Sequence, residues 1–512
     1  MVTPAAEQQI ETGLDVKIRR NARLAFWVIF AALTALYIVC TLLEARRFVW
    51  FDELFTYDIA RASSLHQLWH WVLRFDNNPP AVYVLSRLSM AVVGPTPLGL
   101  RLPSILEFYL ASLAIFLYVR RKMGNAIGCL TVLFLWASHF AFAYATEARP
   151  YALVVMAFAF LLYFWDSAAH YQGGTPSLFG VAISTAVLSS AHVFAPLALL
   201  PFLVAEAVRF WRRRTPDYPL WSALLLPTAV MLVDIPLIRA YNTILLPPQI
   251  RASWGKIGIF FYNSFATFGK ALMLAVVVLL VLPKAKKGSR PMPKFVAEDL
   301  ALLACLLLNP ILLNLVLMWR HGNFFDRYCI TSSVAICLAL ALLLSIYLRP
   351  GYGAIGLASL VMIASLVHGV SRDLELPRVD PLVWSTLRPD LPVVAASGMT
   401  FYEMNHHEDP GLLSRLYYLK DRAAAIKYEG TNLLQDFEAP DEMKSAGIPL
   451  AGKVESYRSF VAQHREFLVF GGLGDWPIQK LRDEGATVEV LADYPYQTPY
   501  RAGARLYLIT LH

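Results

Sequence analysis

The sequence predicts a polytopic α-helical membrane protein carrying a water-soluble α/β domain at its C-terminus. Three observations lead there. The 512 residues are 57% hydrophobic and only 16% charged, with a mean hydropathy of +0.50, whereas soluble globular chains are about 45–50% apolar and about 25% charged. The apolar residues fall in blocks close to the ~20 needed to cross a bilayer core, and residues 372–512 contain no such block. Charge divides at the same place: up to Ser371 there are 30 Lys+Arg against 17 Asp+Glu, and beyond it 15 against 20. The basic residues sit in loops between apolar spans, which is a topology signal and argues against nucleic-acid binding.

Residues 1–23 carry Lys17, Arg19, Arg20 and Arg23 ahead of the first apolar run. That run, 24–43, exceeds the apolar stretch of a signal peptide and leads into Glu44-Ala-Arg-Arg47, not a small-residue cleavage site, so it reads as a retained span. Further spans are expected at 98–119, 124–142, 149–167, 176–192, 193–210, 219–239, 267–283, 298–318, 329–348 and 353–371, eleven in all within a membrane domain of residues 24–371. With the N-terminus cytoplasmic, the inner loops hold Arg120-Arg121-Lys122, His170, Arg212-Arg213-Arg214, Lys284, Lys286, Lys287, Arg290, Lys294 and Arg349. The positive-inside rule is then met, and the odd count puts the 372–512 domain outside a cytoplasmic (inner) membrane. Cys40, Cys129, Cys305, Cys329 and Cys337 lie in or beside spans with no CxxC or Cys/His pattern, so neither a zinc site nor a disulfide framework is expected.

Three outer segments are richer than a connection needs. Residues 44–97 contain Asp52, Glu53, Asp58, Asp76, Asn77, Asn78 and Pro79-Pro80, and Leu68, Trp69, Trp71, Val72 and Phe75 at helical spacing suggest helices along the membrane surface. Residues 240–266 hold Arg251, Trp254, Lys256, Tyr262 and Asn263, and residues 319–328 include Arg327 and Tyr328. In the C-terminal domain, 391–396, 466–470, 487–491 and 505–511 read as strands and Ile478–Asp483 as a helix, an α/β layout. Gly471–Gly474 lacks the GxGxxG spacing and reads as a plain strand-to-helix turn.

The Asp52-Glu53 pair is flanked by Trp50, Phe51, Leu54 and Phe55, surroundings in which carboxylates are costly unless used or paired. Desolvation also raises the proton affinity of a carboxyl, the direction useful to a general base. Singly, Arg149 and Arg327 could merely snorkel to lipid phosphates. His192, at the break between two short spans, is as suited to an interhelical contact as to lining a cavity. Asp234, inside a span and followed by Pro236, reads as a structural partner.

Together these motifs bear a family resemblance. Trp50-Phe-Asp-Glu53 after the first span, Asn78-Pro-Pro80 with Tyr83, and Gly99-Leu-Arg-Leu-Pro-Ser104 opening the second span form one set; Glu147-Ala-Arg-Pro-Tyr151 and Arg327-Tyr328, each opening a later span, complete it. The ordered set resembles the bacterial GT-C superfamily of membrane glycosyltransferases, related to protein O-mannosyltransferases and to the aminoarabinose transferase of lipid A, over roughly residues 24–350. The resemblance implies a GT-C fold and inverting transfer of a hexose or pentose from a polyprenyl-phosphate donor to a glycan, lipid or protein acceptor. It implies Asp52 as the acceptor-activating base with Glu53 its acidic neighbour, and Arg101 at the donor phosphate. Glu147, Arg149, Tyr151, Arg327 and Tyr328 would line the cavity, with Asn78, Tyr83, His192 and Lys256 as further candidates. Many relatives have His or Lys before the Pro-Pro pair where this chain has Asn78, which argues against assuming aminoarabinose as the sugar.

No nucleotide cofactor is called for, because a lipid-phosphate donor arrives activated. Asp52, Glu53 and Glu147 could gather a divalent cation, although no ligand spacing requires one. The rival reading is a transporter or flippase of lipid-linked sugars, which should show paired halves with interrupted helices near the midplane; no internal repeat is visible. The C-terminal domain is expected to dock the acceptor over the membrane cavity.

Overall fold

The computed structural model describes residues 4–76, 78–171, 173–241, 247–266, 268–284, 293–320, 322–374, 388–493 and 504–512. Asn77, Lys286, Lys287, Arg290 and His321 of the segments discussed above lie outside them. The membrane part is helical: α1 Pro4–Glu44, α2 Phe51–Ala60, α3 Leu65–Phe75, α4 Ala81–Val93, α5 Pro97–Met123, α6 Asn125–Ala137, α7 His139–Phe142, α8 Tyr151–His170 and α9 Gly174–Ala191. It continues with α10 Leu200–Arg213, α11 Tyr218–Leu225, α12 Ile235–Tyr241, α13 Trp254–Ala266, α14 Gly269–Val281, α15 Ala297–Trp319, α16 Thr331–Leu343 and α17 Tyr352–Leu374.

Among the described residues eight helices are long and apolar enough to cross a membrane, or ten if two bent pairs each count as one span. The chain is a multi-pass membrane protein. The segment 193–210, expected as an eleventh span, is a 3-10 turn Ala195–Leu199 running into α10. That helix buries Glu206 and Arg209 against each other at 2.9 Å, a polar pair that a purely apolar crossing would not contain. The 124–142 span is bent by 78° between α6 and the helical stretch that begins at His139. The single residue joining α5 to α6, Gly124, has φ +89, a left-handed conformation open to glycine at no steric cost.

Lys122, His170 and Arg212, from three of the basic loops, gather around Asp166, Glu298 and Asp299. Lys122 Nζ lies 2.7 Å from both Asp166 and Asp299, His170 Nδ1 lies 3.0 Å from Asp166, and Arg212 reaches Glu298 at 2.5 Å. This network ties the ends of α5, α8, α10 and α15. Removing one partner of such a buried group costs about 3–5 kcal/mol.

Beyond α17 the chain forms a six-stranded sheet: β1 Val393–Ala395, β2 Leu416–Lys420, β3 Lys453–Ser456, β4 Glu466–Gly471, β5 Thr487–Asp493 and β6 Arg505–Thr510. The order is β3-β2-β1-β4-β6-β5; the first four are parallel, and β6 runs antiparallel to both β4 and β5. Six helices flank it: α18 Gly398–His407, α19 Pro410–Leu413, α20 Arg422–Glu429, α21 Pro440–Ser445, α22 Tyr457–Gln463 and α23 Trp476–Asp483. All four expected strands are present, together with β2 and β3.

This domain is not appended on a tether. Phe51, Leu54, Phe55, Val72, Phe75 and Tyr83 of α2–α4 share one buried cluster with Phe401, Tyr402, Met404, Leu416, Tyr418 and Leu468. Helices α2–α4 and the sheet domain therefore exclude water from the same core, and Phe55 stacks on Tyr402 at 5.0 Å.

Candidate active site

The site forms where the N-terminus of α2, the corner before Pro79-Pro80, the connection into α8, the residue after α9 and the turn before α16 converge. Asp52 and Glu53 occupy the first turn of α2, where the helix dipole favours acidic side chains. The orphan N–H of Phe51 at that helix start is satisfied across domains, donating to Glu403 Oε1 at 2.8 Å.

The two neighbouring acids have different fates. Glu53 is 1% exposed and receives Arg101 Nε at 2.8 Å, Arg101 Nη2 at 2.5 Å and the Ala148 N–H at 2.9 Å. Arg101 also donates to the carbonyls of Ala45, Arg47 and Phe48 at 2.8–3.0 Å. All five guanidinium N–H groups are thus used, so Arg101 has none left for a donor phosphate; it fixes the turn after α1 onto α2. Glu53 is likewise a buried partner and not a free acid. Both residues expected at the chemistry thus lie in one buried pair, each side chain 1% exposed.

The Asp52 side chain is 16% exposed. Its Oδ2 accepts from Arg327 Nη1 at 3.1 Å, its Oδ1 has no hydrogen-bond partner among the described residues, and its backbone carbonyl accepts from Arg149 Nη1 at 3.0 Å. Arg149 pairs with Asp76, Nη1 to Oδ2 at 2.6 Å. Asn78 Nδ2 donates to Asp76 Oδ1 at 2.8 Å, and the fully buried Tyr83 stands against the same carboxylate. Burial works to raise the proton affinity of Asp76, but Arg149, with Tyr83 and Asn78, prevails and holds its carboxyl below the usual range. Asp76, the hub of this group, was noted in the sequence only as loop content.

The Nε atoms of Arg149 and Arg327 are buried with no partner among the described residues, as is Glu147 Oε1. An unsatisfied buried donor costs about 1–3 kcal/mol, a cost that a bound anion would remove. Desolvation, reinforced by Glu53 and Asp52, pushes the Glu147 carboxyl up to about 8.

Aromatic rings complete the wall. Tyr151 lies 5.6 Å and Tyr328 5.2 Å from the His192 ring, and the Arg327 guanidinium lies 5.7 Å from the Tyr151 ring. His192 Nδ1 accepts the Phe194 N–H at 3.1 Å. Desolvation, with Arg327 and Arg149 nearby, drops its imidazole to about 3, so His192 is neutral and carries its proton on Nε2. Lys256, in contrast, has no hydrogen bond or ion pair to this group. The ligand atoms of Asp52, Glu53 and Glu147 do not gather closely enough to share a cation. Among the described residues the one grouping with that geometry is Asp166, His170 and Asp299, in the basic-end network, where Lys122 already stands between the carboxylates.

The C-terminal domain brings residues that sequence reasoning missed. Glu403 caps α2; Tyr402 Oη and His406 Nε2 both bond Asp58 Oδ2, the latter at 3.0 Å; His407 Nε2 reaches the Val49 carbonyl at 2.8 Å.

Residues 77–233 match the family described as dolichyl-phosphate-mannose-protein mannosyltransferase. The structure resembles ArnT from Cupriavidus metallidurans in the apo state, with TM-score 0.56, 14% identity, and 95% of this chain and 98% of that chain covered. It resembles the same protein bound to undecaprenyl phosphate with TM-score 0.55 and 12% identity over 94% and 98%. No curated protein matches significantly.

Proposed function

The chain has the GT-C fold of membrane glycosyltransferases, and on that footing we propose that it is an inverting transferase acting on the outer face of the cytoplasmic membrane. It takes a hexosyl or pentosyl group from a polyprenyl-phosphate-linked donor and passes it to an envelope glycan, lipid or protein. The ArnT structure with undecaprenyl phosphate supports a carrier of that class. The observation that carries the reading is the pairing of a carboxylate with free proton-accepting capacity, Asp52, and two buried guanidinium groups with unpartnered Nε–H.

Displacement at the anomeric carbon puts positive charge on the sugar and negative charge on the departing phosphate. Arg327 and Arg149, held by Asp52 and Asp76 without using their Nε–H groups, are preorganised to receive that phosphate. One such fixed donor contributes about 2.7–4 kcal/mol to barrier lowering when its charge partner develops in the transition state. Asp52 Oδ1 accepts the proton of the attacking acceptor as its oxygen bonds the anomeric carbon from the face opposite the phosphate. Neutral His192 and protonated Glu147 can donate hydrogen bonds without adding charge. The reading is tested by following donor consumption and product formation with purified protein, its Arg327→Ala variant and its Arg149→Ala variant. Loss of turnover with retained folding supports it; turnover unchanged in both removes it.

A further inference from the structure

We propose that the groove between α4, α5, α8 and α9 holds the chain of a lipid acceptor, and that this chain carries a hydroxyl. The inference rests on the transferase reading above and deepens it by naming the class of acceptor.

The groove has a volume of about 880 Å³, and the 3-10 stretch Leu226–Asp234 completes its wall. Leu106, Leu110 and Val233 stand exposed along it, on two of the segments apolar enough to cross a membrane. A hydrocarbon chain can therefore enter it sideways from the bilayer. Pro79 and Pro80 also line it, directly after Asn78, whose Nδ2 bonds Asp76 of the candidate site. Asp76 is tied through Arg149 to the Asp52 carbonyl, so a lipid lying in the groove has its headgroup end beside those residues.

Three polar side chains interrupt the aliphatic lining, and each has hydrogen-bonding capacity left over. Glu107 of α5 is 8% exposed and makes no hydrogen bond or ion pair among the described residues. Asp234, which the sequence suggests as a structural partner, is 3% exposed with its Oδ2 buried and unpartnered. Ser89 Oγ of α4 is buried and unpartnered as well. No lysine or arginine lines the groove among the described residues, so nothing there holds a phosphate or neutralises a carboxylate.

These groups discriminate among lipids. A polyprenyl tail is hydrocarbon throughout, and filling the groove with it would leave the buried polar atoms facing carbon, a costly arrangement. An ammonium-bearing chain would have to take its own charge into the bilayer. A hydroxyl can donate to a carboxyl oxygen and accept from Ser89 with no charge to desolvate. Glu107 lies six residues past Arg101 on α5, about 9 Å along the helix axis, which places the hydroxyl near the headgroup end of the chain.

The test measures binding to full-length purified protein in nanodiscs. The probes are tritiated N-(3-hydroxymyristoyl)glucosamine and N-myristoylglucosamine, which differ by one hydroxyl. Wild type is compared with a double variant, Glu107→Leu with Asp234→Leu, and with Glu107→Gln combined with Asp234→Asn. One hydrogen bond gained at a binding site is worth about tenfold in Kd. Wild type should bind the hydroxylated probe about tenfold more tightly, the leucine variant should bind both probes alike, and the amide variant should keep most of the preference. The Kd for undecaprenyl phosphate should be the same in all three. Equal affinity of wild type for the two probes overturns the inference, and so does a preference that survives the leucine substitutions. An undecaprenyl phosphate Kd that shifts in the leucine variant overturns it too, giving the groove to the donor tail. The wild-type comparison decides by itself where a variant fails to fold. Because no turnover is read, each of these outcomes leaves the transferase reading standing. A wild type that prefers the hydroxylated probe but consumes no polyprenyl-phosphate sugar overturns the transferase reading, and the acceptor role with it.

Discussion

Arg327 and Asp52, separated by 275 positions in sequence, meet at 3.1 Å. One guanidinium edge steadies the carboxylate while its buried Nε–H stays unpartnered. Replacing Arg327 with alanine removes both the orienting contact and the anion contact. We expect turnover to fall about 10²–10³-fold, with Arg327→Lys recovering little because an ammonium cannot face two directions in one plane. Steady-state kinetics on purified variants check this.

Arg101 and Glu53 should behave differently. Their pair is buried with every guanidinium N–H used, so removing either partner costs about 3–5 kcal/mol. Arg101→Ala and Glu53→Ala are expected to lower the thermal unfolding midpoint in detergent and to reduce yield. A variant that unfolds like wild type but loses activity would return Arg101 to the donor phosphate.

How much of this was legible in advance depends on the range of the interaction. Most of the spans and the helices within residues 44–97 follow from local hydropathy. What distinguishes Asp52 from Glu53 is which one finds Arg101, a contact across 48 positions, and nothing local separates two adjacent acids. Asp76 could have been suspected from its place two residues before Asn78-Pro-Pro80. Glu403 could not, since it reaches α2 only through the docking of a domain whose strands were visible but whose contacts were not. The strand Leu416–Lys420 was missed although Leu-Tyr-Tyr-Leu is an apolar run, and edge strand Lys453–Ser456 has too little burial to leave a pattern.

Glu147 gives a pH signature. Its folded carboxyl is raised to about 8 from an unfolded value near 4.3. The folded state thus prefers the protonated form, and its contribution is fully present below the unfolded value and lost as pH climbs toward 8. Across that window wild type should lose up to about 1.4 kcal/mol per pH unit relative to Glu147→Gln. Unfolding midpoints of the two proteins between pH 5 and 8.5 check this; parallel curves would contradict it.

The shared core predicts that the soluble domain cannot be cut away cleanly. Truncation before residue 376 would uncover Phe51, Phe55 and Val72, so the shortened protein should aggregate or lose its fold. A gentler probe is Asp58→Ala, which removes the acceptor of Tyr402 and His406. It should raise hydrogen exchange in both α2 and α18 while leaving the Lys122 network at the far end protected.

The most direct measurement is release of polyprenyl phosphate from a radiolabelled polyprenyl-phosphate sugar by wild type and by Asp52→Asn, each shown to be folded and to bind the lipid. The account predicts turnover by wild type and a loss of about 10²–10⁴-fold in the variant, the span of one general base. Equal turnover by both would remove Asp52 from the chemistry, and movement of intact donor across liposomes without turnover would make the chain a transporter.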